Sequence, residues 1–138
     1  MRRRAVCKQC TDVHTANLNQ AIVDAYLRGG LLSPHIDRIC SQYATLMDTM
    51  LSQLKEMPKK RHYTQPEGGL FIFVELEDDV RATDLFRKAV ERGVAFVPGE
   101  YFYPEGGHHN TLRLNFSNAD RPAILRGMEI LADSLQQM

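Results

Sequence analysis

Apolar side chains recur along this chain with two different periods, and the change from one to the other organises it. Leu18, Ile22 and Tyr26 stand four residues apart in an apolar-rich segment. That spacing predicts an amphipathic helix over residues 15–28, stopped by Gly29-Gly30. Ser33 as cap and Pro34 as first helical residue open a longer helix over residues 33–57. Its stripe runs from Ile36 through Tyr43, Met47 and Leu54 to Met57 at intervals of three and four. Pro58 ends it, and Lys59-Lys60-Arg61 reads as helix termination beside the negative end of the dipole.

After Gly68-Gly69 the pattern changes. Leu70 to Leu76 is aromatic and β-branched and predicts a largely buried strand over residues 70–76. Leu85, Phe86, Ala89 and Val90 mark a short helix over residues 83–92, stopped by Gly93. A strand over residues 94–97 follows, closed by the turn signal Pro98-Gly99. Residues 111–116 alternate, with Leu112, Leu114 and Phe116 on one face and Thr111, Arg113 and Asn115 on the other. Asp120 caps a last helix over residues 120–136, whose stripe includes Ile124, Met128, Leu131 and Leu135.

This order predicts an α/β fold of the two-layer α+β kind, a small mixed sheet of three to four strands covered by helices. The strand–helix–strand passage over residues 70–97 suits a right-handed parallel crossover, while antiparallel pairing elsewhere fits the pattern equally. Residues 1–14 are polar and poorly periodic. At 138 residues the chain reads as one domain, large enough to bury a core without staples.

Charge and composition narrow the function. Lys plus Arg is 17 and Asp plus Glu is 17, which removes the electrostatic case for nucleic acid or an anionic membrane. No apolar run reaches the roughly 20 residues of a membrane span. Met1-Arg2-Arg3-Arg4 is basic, but no apolar stretch follows it as a secretory signal requires. Three cysteines, an odd number, suit a reducing cytoplasm.

Several residues could carry chemistry. Cys7-Lys8-Gln9-Cys10 is a C-x-x-C, but no strand precedes it for redox use and no second pair completes a zinc set. A metal or redox protein using Cys7, Cys10 and His14 is therefore the weakest reading. Ser52-Gln53-Leu54-Lys55 matches S-x-x-K inside the long helix, where the spacing arises by chance. His108-His109 reads as a solvated loop. Arg113 projects from the face of its strand opposite the apolar one. It serves there either as a surface arginine or as a planar fork that grips a carboxylate with two parallel hydrogen bonds.

Three segments in order decide between these. Pro66-Glu67-Gly68-Gly69-Leu70-Phe71-Ile72-Phe73, then Arg92-Gly93-Val94 leading to Val97-Pro98-Gly99-Glu100-Tyr101-Phe102, then Asn110-Thr111-Leu112-Arg113-Leu114-Asn115-Phe116-Ser117 resemble the C-terminal part of class I/II aminotransferases. These are fold-type I enzymes of pyridoxal 5'-phosphate. The nearest branch is that of the 2-aminoadipate and kynurenine aminotransferases, with the aminotransferase-like domains of MocR regulators. The resemblance covers nearly the whole chain. It implies that residues 1–138 are the small C-terminal domain. It also implies that Arg113, in N-x-x-R-L-x-F, binds the α-carboxylate of an amino acid or 2-oxo acid. Gly68, Gly69 and Gly99 would shape turns near the site's edge, and Thr15, Asn17 and Gln20 would lie at the seam of a homodimer.

The family's cofactor lysine, its following phosphate-binding arginine, the aspartate facing the pyridine nitrogen and the glycine-rich phosphate turn have no counterpart among these residues. Lys8, Lys55, Lys59, Lys60 and Lys88 stand in other contexts. The expectation is a fragment that is inactive alone, binds no cofactor itself and belongs with an N-terminal cofactor domain. A non-catalytic effector domain of a MocR-like regulator is the alternative.

Overall fold

The computed structural model describes residues 2–12 and 15–138. The chain separates into two compact units, residues 1–40 and residues 41–138. The first holds α1 (Arg2–Asp12), α2 (Asn17–Arg28) and the opening turns of α3 (Leu32–Glu56). The second holds the rest of α3 and every strand: β1 (Lys60–Tyr63), β2 (Phe71–Leu76), β3 (Val97–Pro98) and β4 (Thr111–Asn115). It also holds α4 (Ala82–Glu91), a 3-10 turn over Gly99–Phe102 and α5 (Arg121–Gln136).

The four strands form one sheet in the order β1-β2-β4-β3. Every hydrogen-bonded pair is antiparallel. β2 and β3 run in the same direction, as a crossover requires, but β4 lies between them. The sheet is thus antiparallel where a mixed one is expected, because the strand that arrives last in sequence separates the two ends of the crossover.

Strand alternation gives the sheet one apolar face. Ile72, Val74 and Leu76 of β2 and Leu112 and Leu114 of β4 are buried. They share a core with Met50 and Leu54 of α3, Leu85 and Ala89 of α4, and Ile124, Met128, Leu131 and Leu135 of α5. Residues 70–76 are therefore not buried throughout. Phe71 points away from that core and keeps 39% of its surface exposed.

Several elements differ from the sequence reading, among them the strand expected over residues 94–97, which pairs with β4 only at Val97–Pro98. Lys59 has φ of 53°, a turn, and its carbonyl accepts from the Glu77 amide at 2.9 Å. Lys60, His62 and Tyr63 then pair with β2 as an edge strand, the register shifting between Lys60 and His62. The basic run is thus a strand as well as a helix end, and charge on an edge strand blocks unwanted pairing. The polar residues 2–12 form a helix although no apolar stripe marks one. In α3 the helix begins at Leu32, with the His35 amide bonded to the Leu31 carbonyl at 3.3 Å. Ser33 and Pro34 accordingly sit inside the first turn, where proline's missing N–H still costs nothing. Asp120 does cap α5, its Oδ1 accepting from the Ala123 amide at 2.8 Å.

Candidate functional site

Arg113 sits at the centre of β4, directed away from its buried neighbours Leu112 and Leu114. It faces Phe73 across the ladder to β2 and Val97 across the ladder to β3. Its guanidinium carbon lies over two rings, 4.1 Å from the centroid of Phe71 and 4.6 Å from that of Phe102. Phe102 meets Phe73 edge-on, with centroids 5.8 Å apart.

Partial burial without a carboxylate partner sets Arg113 apart among the described arginines. Arg28, Arg61, Arg87 and Arg92 each pair with an aspartate on the surface. Arg113 is half-buried, and among the described residues no carboxylate pairs with it. Its Nε is buried and donates no hydrogen bond. Leaving a buried donor unsatisfied costs about 1–3 kcal/mol, more for a charged group. An anion that accepts from the guanidinium offsets that cost. A carboxylate matches the fork with two in-plane acceptors.

Arg113 also lines a cavity of about 330 Å³, together with Phe71, Val97 and Asn115. The rest of the lining is mostly apolar, with Ile124 and Met128 among it. No lysine lines this cavity. Lys60 Nζ donates to the carbonyls of Lys55 and Met57, and Lys88 Nζ to that of Gln137 at 3.1 Å. These residues do not fit pyridoxal phosphate, which needs a lysine for its aldehyde carbon and donors for its phosphate in one place.

The segment carrying Phe102 is held at several points. Gly99 is buried against Thr111. The Thr111 hydroxyl donates to the His108 carbonyl at 2.7 Å. His109 Nδ1 pairs with Glu100 Oε2. Tyr103 stacks on His108 with centroids 3.9 Å apart. The two histidines are exposed, yet each braces this segment rather than standing free in solvent. Gly99 serves close packing and not a left-handed turn, whereas Gly69, with φ of +86°, does need glycine's freedom.

Cys7, Cys10 and Cys40 are exposed free thiols, and among the described residues no three His, Cys, Asp or Glu side chains could hold a metal. His14 lies outside the described residues. Ser52 Oγ donates to the Thr49 carbonyl at 2.7 Å, as an ordinary helical serine does. Asn17 opens α2, and Gln20 Nε2 donates to the Thr15 carbonyl at 2.6 Å. The sequence reading missed Phe71 and Phe102. For Phe71 the signal was its place two residues from Phe73, out of phase with Ile72 and Val74.

No protein-family model matches the chain. The 2-aminoadipate transaminase of Thermus thermophilus is 42% identical over 130 residues, 94% of this chain and 32% of that protein. The structure of LysN, an alpha-aminoadipate aminotransferase from the same species complexed with N-(5'-phosphopyridoxyl)-L-leucine, superposes with a TM-score of 0.86 at 39% identity. It covers 95% of this chain and 34% of that one. The kynurenine aminotransferase of Pyrococcus horikoshii superposes with a TM-score of 0.90 at 39% identity, covering 99% of this chain and 34% of that one. The chain spans about a third of the length of the relatives it matches. Over that third it matches these aminotransferases in sequence and in fold, consistent with the C-terminal small domain of the fold-type I enzymes.

Proposed function

We infer that residues 1–138 act as the substrate-anchoring small domain of a pyridoxal-phosphate aminotransferase, which moves an amino group between an amino acid and a 2-oxo acid. Arg113 receives the substrate's α-carboxylate. The observation that carries this reading is the state of Arg113: half-buried, lacking a carboxylate partner among the described residues, its Nε unsatisfied. Pyridoxal phosphate, when bound in the companion domain, supplies the electron sink of the reaction. This chain's part is orientation. Two hydrogen bonds from one fork fix the carboxylate and so limit where the α-carbon can lie.

The partners follow from that division. A cofactor domain meets this one and carries the lysine. A homodimer is supported by the exposed apolar side chains of the first unit, Leu18, Ile22, Val23, Leu27 and Ile36. The three free thiols support a reducing compartment, the cytoplasm. Among the described residues no helix is long and apolar enough to cross a membrane.

A hybrid enzyme tests the reading, with these residues replacing the matching third of the Thermus transaminase. The hybrid should transaminate, and Arg113→Gln within it should lose about a hundredfold or more in kcat/KM, as loss of one partner of a desolvated charge pair does. Equal kcat/KM in the two hybrids would refute it.

A further inference from the structure

We propose that Phe71 and Phe102 are positioning residues for Arg113, two aromatic faces that hold its guanidinium in the plane from which it meets a carboxylate. The proposal rests on the reading of Arg113 as the carboxylate anchor. An arginine on an open sheet face has many rotamers, and two parallel hydrogen bonds form only when the plane of the fork is set. Here the guanidinium carbon lies 4.1 Å from one ring centroid and 4.6 Å from the other, both within the roughly 6 Å reach of cation–π attraction.

The rings belong to Arg113 and not to the core. Phe71 and Phe102 are 39% and 43% exposed, and neither joins the buried cluster. They come from different elements. Phe71 is set by the β2–β4 ladder, opposite Asn115. Phe102 is set by the 3-10 turn, which Gly99 seats against Thr111 and the His109–Glu100 pair braces. Phe73 closes on Phe102 from the side. A ring over a guanidinium face excludes water there and leaves the in-plane N–H groups as the route for a ligand.

Side-chain NMR of the 138-residue chain, with no ligand present, reads this directly. In the native chain the Arg113 Nε–Hε signal should carry a ring-current displacement, and rotation about Nε–Cζ should be slow. Phe102→Leu should remove part of the displacement and quicken rotation about threefold, the scale of one cation–π contact. Phe102→Tyr should keep the native values, since it keeps the ring. Phe71→Leu gives a second, independent variant if Phe102→Leu fails to fold. An Arg113 signal in both leucine variants that matches the native one overturns the proposal. So does a tyrosine variant that behaves like the leucine one, because shape and not the ring face would then be at work. Formate titration of native chain against Arg113→Gln, followed on β4 amides, tests the anchor reading separately. Loss of the formate response with unchanged leucine variants overturns the clamp alone. An unchanged formate response in Arg113→Gln overturns the anchor and the clamp with it.

Discussion

A Cβ atom on Gly99 would stand 2.1 Å from Oγ1 of Thr111 and 2.8 Å from its Cβ. Thr111 is itself buried, on the strand that carries Arg113. Only a residue without a side chain lets the 3-10 turn sit this close to β4. Gly99→Ala should destabilise the second unit by about 1–3 kcal/mol, the usual cost of overpacking. Chemical denaturation checks this, and an unmoved midpoint would contradict the close approach.

Burial separates two leucines of similar helical context. Leu131 on α5 is fully buried in the core, whereas Leu18 on α2 is 71% exposed. Leu131→Ala should cost about 2–5 kcal/mol through lost contacts and the cavity left behind. Leu18→Ala should stay within about 0.5 kcal/mol. Equal losses in the two variants would mean that the α2 stripe is packed and not open.

The same exposed stripe predicts association. Leu18, Ile22, Val23 and Leu27 are four exposed large apolar side chains on one helix, and soluble monomers rarely leave large apolar patches open. Sedimentation at rising concentration should show self-association, and Ile22→Asp should weaken it. A native chain that stays monomeric throughout would count against the patch as an interface.

The cap of α5 offers a local test. Asp120 satisfies one of the free amides at the start of the helix. Asp120→Ala should cost about 1 kcal/mol and Asp120→Asn much less, because asparagine keeps the accepting oxygen. Thermal unfolding of the two variants measures the difference.

The sequence showed the elements whose apolar residues repeat with a period. α3, α4, β4 and α5 lie within a residue or two of their expected bounds. β1 was hidden because Lys60-Arg61-His62-Tyr63 has no alternation to read. Its strand form comes from backbone pairing with β2, a contact the local sequence does not encode. α1 was hidden because its residues are polar around the helix. Arg113 was legible because strand alternation alone turns it away from the core. Phe102 was not, since its place over the guanidinium depends on the Gly99–Thr111 approach, which joins residues far apart in the chain.

On the proposed function, Arg113 is kept unpaired for an incoming carboxylate. Isothermal or NMR titration of the native chain with pyruvate, beside Arg113→Met, tests it most directly. Saturable binding is expected in the native chain, with loss of binding in the methionine variant and a stability in that variant equal to or above the native one, since a charge without a partner has been removed. Equal pyruvate affinity in the two chains, or a large loss of stability on removing Arg113, would contradict it.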